Sequence, residues 1–287
     1  LFLYMLGKDL IDRPQMWQLV LEAGASSLSV VAFSPYENHA LIHETISLDA
    51  SAPSALRALE DAVYENPMLL LDFRRVMVYY DAPRMAALPG MAASSAGVCL
   101  QRMFPPSDVR TEVLVDNIPG MDACVAFEIP SDILGFLRRT FHNASIGHPL
   151  VPVASYFGMK HSARPSGKTL VNITGNRLDV VTLGSGAPLV LNSFRFVEPM
   201  DAVYYILASR STLGLRDTDE IMIAGDRDVR AAIAPVLRRY VRYVMPAIFP
   251  SVMFRAGKAS LAAPFEMVVA PLMSPLPPAG GGSEAGN

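Results

Sequence analysis

A chain of 287 residues, 51% hydrophobic and 18% charged, has ample material for a core and suggests one large or two ordinary domains. Its net charge of -3 argues against a general nucleic-acid binder, which carries a strongly basic balance. No uninterrupted apolar run approaches the roughly 20 residues of a membrane span, and the start, LFLYMLGKDL, has neither a basic leader nor a small-residue cleavage site. A cytoplasmic chain without membrane insertion is therefore the expectation.

In chain order, 17–22 and 28–34 are strand-like runs joined through Ala23-Gly24-Ala25-Ser26-Ser27, and 41–48 follows the turn Pro35-Tyr36-Glu37-Asn38. Three sequential antiparallel strands are the simplest arrangement. Apolar Leu56, Leu59, Ala62 and Val63 recur at helical spacing in 54–64, and 75–80 is a strand ending at Asp81-Ala82-Pro83. Cys99 and Cys124 are too few and too far apart for a zinc knuckle or a disulfide framework and read as buried thiols. The segment 122–160 opens with a strand, a helix then runs from Ser131 or Asp132 to Phe141, and a second strand-to-helix passage leads into the second half. His142 and His148 flank a Gly-containing linker there, as surface or capping histidines able to titrate if they face a cleft.

The second half repeats the order, with strands at 170–174, 178–183 and 188–194, a helix at 201–211, a strand at 220–224 and a helix at 229–244. LVLEAGASSLSVVAF (19–33) and LVNITGNRLDVVTL (170–183) resemble each other if one residue is gapped, about 150 residues apart. Gly167-Lys168-Thr169 has the ending of a phosphate-binding loop. However, Ser162 stands where the first glycine belongs and the tripeptide opens a strand, so Lys168 is a polar lead-in with no helix dipole behind it. His39 and His43, four apart on a strand, would lie about 13 Å from each other, too far for one metal ion. Asp217-Thr218-Asp219-Glu220 is a solvated turn. On the last helix, Val229, Ile233, Val236, Leu237, Tyr240, Val241 and Val244 share one face. Arg227, Arg238, Arg239 and Arg242 share the opposite one, which reads as a solvated surface or as a docking face for an acidic protein partner or the other lobe, and Pro235 is expected to kink or split the helix. Residues 273–287, rich in Pro and Gly, are expected to form a disordered tail.

Duplicated three-strand meanders with interleaved helices resemble the two ribonuclease-H-like lobes of the actin-like ATPase superfamily. The resemblance implies an α/β fold of mixed sheets, with lobes at 1–145 and 146–272. It also implies a cleft where each lobe offers an Asp-x-Gly hairpin to the phosphates and Mg²⁺ of ATP. Here Glu22-Ala23-Gly24, with Ser26 and Ser27, stands for the first hairpin. Asn172-Ile173-Thr174-Gly175 stands for the second, with an amide for the acid, and Gly225 keeps one glycine of the Gly-Gly adenosine motif. Asn cannot act as a base or carry the metal-directing charge. The segment 122–160 resembles actin-like scaffold proteins of type IV pilus and type II secretion machines. PMLLLDFRRVMVYYDAPR, FLRRTFHNASIGHPL, RYVRYVMPAIFP and FRAGKASLAAPFEMVVAP look like the runs of a Bacteroidota family known as a domain of unknown function with an actin-like fold. The expectation is a degenerate ATPase-fold scaffold with no metal, no required cofactor, no catalytic residue and at most weak binding of ATP. The alternative is an ATP-dependent phosphotransferase or ATPase that uses Glu22.

Overall fold

The first hairpin carries apolar residues on both faces because both faces of its sheet are covered. The computed structural model describes residues 6–37, 40–161, 167–184 and 187–273. Strands β1 (Gln18–Ala23), β2 (Ser27–Phe33) and β3 (Leu41–Ser47) form an antiparallel meander. Every residue of β1 is buried, whereas the edge strand β3 is half-exposed. Helix α1 (Ala55–Tyr64) starts where the Ser54 hydroxyl accepts a hydrogen bond from the Arg57 amide, and its buried Leu59 and Val63 pack on the sheet. Strand β4 (Arg75–Tyr80) then joins β1 in parallel.

Residues 85–130 form a second, three-stranded antiparallel sheet that the sequence did not announce before residue 122. It comprises β5 (Met85–Pro89), β6 (Thr111–Asn117) and β7 (Ala123–Pro130) in the order β5-β7-β6, covered by α2 (Ala93–Met103). Helix α3 (Ser131–Thr140) and β8 (Ser145–Gly147) complete the first sheet, and α4 (Leu150–His161) crosses to the second. That sheet holds β9 (Lys168–Thr174), β10 (Arg177–Gly184) and β11 (Ala187–Arg195), followed by α5 (Pro199–Thr212), β12 (Glu220–Gly225), α6 (Arg227–Leu237) and β13 (Val244–Pro246). The two large sheets share one strand order, β3-β2-β1-β4-β8 and β11-β10-β9-β12-β13, with the same parallel and antiparallel pairings.

Register makes the duplication stricter than the gapped comparison suggests. Gln18 pairs with the first residue of β4 and Lys168 with the first residue of β12, and Ala23↔Leu28 corresponds to Ile173↔Leu178. The hairpins therefore superpose at a constant offset with no gap. Glu22 corresponds to Asn172, Gly24 to Thr174, Ser27 to Arg177 and Ser29 to Asp179.

The C-terminal segment returns to the cleft. Helices α7 (Ser251–Phe254), α8 (Ala259–Ala262) and α9 (Phe265–Met273) cover the remaining face of the first sheet, where Met253, Met267 and Val268 pack on Val20, Val31 and Met77. Residues 265–271 of α9 are all buried, between α4, β1 and β9. Two expectations are corrected here. Helix α6 stops at Leu237, and residues 244–246 are pulled into parallel pairing with β12, so Arg239 and Arg242 lie beyond the helix and Tyr240 is exposed. Pro235 is accommodated inside the last turn without splitting the helix. Cys124 is buried and Cys99 half-buried, both free thiols. His39 and residues 274–287 lie outside the described residues. Among the described residues no helix is long and apolar enough to cross a membrane.

Candidate functional site

The two equivalent hairpin turns face each other across a cleft of about 720 Å³. Glu22, Gly24, Ser26 and Ser27 line it from the first sheet, and Gly175 and Gly225 from the second. Of the residues assigned to a nucleotide from sequence, only Asn172 lies outside it, fully buried beneath the floor. Gly175 has φ +56°, the left-handed value the tight turn requires, and Gly225 has φ +86°. A Cβ on Gly225 would collide with the Ile173 carbonyl, because the ends of β9 and β12 touch there and the Asp226 amide donates to that same carbonyl at 2.7 Å. Gly225 therefore has a sufficient structural cause. Gly24 is less constrained, since a Cβ there would meet the Ser27 carbonyl at an ordinary 3.5 Å.

The floor of the cleft is a buried ion cluster centred on Arg177, which is 1% exposed. Its Nη1 lies 2.5 Å from Glu22 Oε1 and 3.2 Å from Asp81 Oδ1, its Nε 3.2 Å from Asp179 Oδ2, and its Nη2 2.6 Å from Glu266 Oε1. The carboxylates come from β1, the loop after β4, β10 and α9, so one guanidinium ties the two sheets and the C-terminal helix together. Asn172 adds to the cluster by donating to Asp179 (3.2 Å) and Glu266 (3.0 Å), and Ser193 Oγ donates to Asp179 at 2.8 Å. Arg195 reaches Asp81 at 2.6 Å from the cleft side.

Four carboxylates around one buried cation, with Arg195 on only one of them, leave excess negative charge that protons must offset. Burial, reinforced by Glu266, holds the Glu22 carboxyl well above the usual carboxylate range despite Arg177, and burial raises Asp179 as well. Burial also pushes Asp81 upward, but Arg177 and Arg195 outweigh it and keep this group below its ordinary value. Arg177 holds its proton more firmly than in water, because the surrounding acids override the cost of burying its charge. His148 is fully buried and its Nδ1 accepts from the Leu150 amide at 3.2 Å, so the capping role is the one realised. Burial and the neighbouring Arg177 push its imidazole down to about 3, so it is neutral and does not titrate in the physiological range.

A metal does not fit these residues. Glu22, the carboxylate that would orient Mg²⁺, is already bound by Arg177, and its counterpart in the second hairpin is an amide. Among the described residues no group of three acidic, histidine or cysteine side chains is arranged to hold a metal ion. Lys168, read as a strand lead-in, pairs with Glu220 at 2.9 Å and is 5% exposed. Asp219, expected in a solvated turn, is instead buried, accepting from the Arg216 amide at 2.8 Å.

Arg177, Asp179, Asp81 and Glu266 carry the site's electrostatics, and sequence reasoning gave none of them a role. The available signal was a charged Arg177-Leu178-Asp179 at the start of an otherwise apolar strand. Of the four arginines expected on one face, Arg227 lines both the cleft and a neighbouring hollow, Arg238 lines that hollow, and Arg239 and Arg242 are exposed in the following turn.

The arrangement is that of known actin-like proteins. A Bacteroides thetaiotaomicron protein with actin-like ATPase fold and unknown function superposes with a TM-score of 0.72 at 18% identity, covering 83% of this chain and 93% of that one. The type IV pilus biogenesis complex of PilM and PilN gives a TM-score of 0.51 at 14% identity, covering 91% of this chain and 98% of that one. The protein thus has the actin-like ATPase fold, an α/β structure of mixed sheets. No curated protein matches it in sequence. A family model described as "Protein of unknown function (DUF3822)" matches residues 10–244, and the chain belongs to that family.

Proposed function

We propose that this chain is an actin-like protein that has exchanged metal–nucleotide chemistry for an internal ion cluster and works in the cytoplasm as a scaffold or adaptor for another protein. Its lobes are residues 1–145 and 146–272. It binds ATP weakly and does not turn it over. The observation that carries the reading is the 2.5 Å contact between Arg177 and Glu22, which gives the one acidic residue at the two equivalent metal-directing positions, Glu22 and Asn172, a cationic partner within the chain. The same guanidinium joins both sheets and the C-terminal helix through the chain's own side chains, and losing one partner of such a buried cluster is costly. The cleft volume lies within the usual range of ligand pockets, and Gly24, Ser26 and Ser27 still line it, which supports residual nucleotide binding. The pilus complex of PilM with PilN supports the adaptor part by analogy of fold alone.

Thermal unfolding with and without millimolar ATP and Mg²⁺, followed by a phosphate-release assay, tests the reading. A ligand present near its dissociation constant raises stability by only about 0.4 kcal/mol, and a shift of that order without phosphate release is the expected outcome. Mg²⁺-dependent release abolished by Glu22→Gln would overturn the proposal and establish a phosphotransferase or ATPase.

A further inference from the structure

Beside the cleft, between α6 and β13, lies a separate hollow of about 280 Å³. Small side chains create it, because Ala231, Ala234 and Pro235 leave α6 thin where it passes the edge strand, and the buried Ile223 forms the floor. Its rim is cationic. Arg227, Arg230 and Arg238 all border it, and among the described residues none of the three is ion-paired with a carboxylate. Among the described residues, Arg230 Nε is buried with no hydrogen-bond partner, and Arg238 makes only a long 3.4 Å contact to the Val244 carbonyl. A buried donor left unmatched costs stability unless something supplies an acceptor.

The surface continues past the hollow. Tyr240, Tyr243 and Met245 are 59%, 42% and 41% exposed, and Met245 also lines the hollow. Arginine, tyrosine and methionine next to one another are the residue types enriched where protein partners bury surface. Strand addition at the edge is disfavoured, because β13 is three residues long, Pro246 has no amide to donate and the Val244 carbonyl is met by Arg238. Recognition therefore has to proceed through side chains.

We infer that the α6–β13 hollow is the docking site for an acidic segment of a protein partner, which places an apolar side chain on Ala231, Ala234 and Pro235 and its carboxylates on Arg227, Arg230 and Arg238. This deepens the adaptor reading and rests on it for the existence of a partner. Charge complementarity selects an acidic occupant, and the apolar floor with its tyrosine and methionine border selects a peptide over a bare anion.

The test is a random-sequence peptide-display selection on the full chain, followed by fluorescence titration with labelled copies of the enriched peptides. Enriched peptides are expected to combine Asp or Glu with a large apolar residue. They should bind about tenfold more weakly for each arginine lost, so roughly a hundredfold more weakly to an Arg230→Glu/Arg238→Glu chain. Ala231→Trp, at an exposed position, fills the hollow without touching the core and should abolish binding while leaving the unfolding midpoint unchanged. The inference is overturned if the enriched peptides show no acidic bias or bind the charge-reversed or Ala231→Trp chains as well as the original. Oligodeoxythymidylate and phosphatidylserine vesicles are titrated in parallel. Tighter arginine-dependent binding of either one overturns the assignment to a protein segment. Peptide binding that fails in a chain that also lacks ATP turnover counts against this surface alone, whereas turnover alongside intact peptide binding counts against the adaptor reading alone.

Discussion

Replacing Arg177 by Met removes the cation and keeps much of the side chain's apolar bulk, so the loss isolates the charge. Glu22, Asp179 and Glu266 would then face one another with no compensating charge in a space where Asp179 and Glu266 are fully buried. Removing one partner of a buried ion pair costs about 3–5 kcal/mol, and one guanidinium here serves four carboxylates, so the upper part of that range is expected near pH 7.5. The pH dependence provides a second check. In the variant the buried carboxylates can persist only by holding protons that the unfolded chain releases at this pH. Native protein then binds more protons than unfolded protein, and stability falls as pH rises, by about 1.4 kcal/mol per pH unit for each proton held. Urea unfolding at pH 5.5 and 7.5, followed through the single and buried Trp17, reads both effects. An Arg177→Met chain as stable as the original at pH 7.5, with the same pH profile, would refute the claim that this cation holds the cleft together.

Gly225→Ala places a Cβ against the Ile173 carbonyl at a positive φ and should cost at least about 2 kcal/mol, whereas Gly24→Ala, with room for a methyl group, should stay within about 1 kcal/mol. Thermal unfolding of both variants compares a glycine that the backbone requires with one it does not. Burial raises Asp116 from 3.8 to about 6, so its contribution to stability is intact below pH 4 and is lost as pH rises through about 6. Asp116→Asn should therefore flatten the stability profile between those values and stabilise the chain at pH 7.5 by up to about 3 kcal/mol, as measured by denaturant midpoints. Lys168→Ala breaks the pair with Glu220 and should lower stability by roughly 1–3 kcal/mol while leaving any thermal response to ATP unchanged, which separates a structural lysine from a phosphate ligand.

Local chemistry made the repeating elements legible. Apolar strands bounded by Gly24 and Gly175 and the apolar spacing of 54–64 are short-range signals, and the duplication that follows from them leads to the actin-like fold. Where short-range signals run out, the sequence misleads. Residues 238–244 continue a helical pattern, yet parallel pairing of Val244 with Ile221 outweighs it, because a backbone already aligned by β12 satisfies its hydrogen bonds at once. The cleft floor is a tertiary matter altogether. Arg177 meets Glu22 across 155 positions and Glu266 across 89, and a charged residue beside a turn looks solvated until a second sheet and a C-terminal helix close over it. Strand periodicity records which face a side chain takes, whereas the identity of its charged neighbours depends on how distant elements pack. For that reason the hairpins of this protein could be read along the chain, and the cation that joins them only in three dimensions.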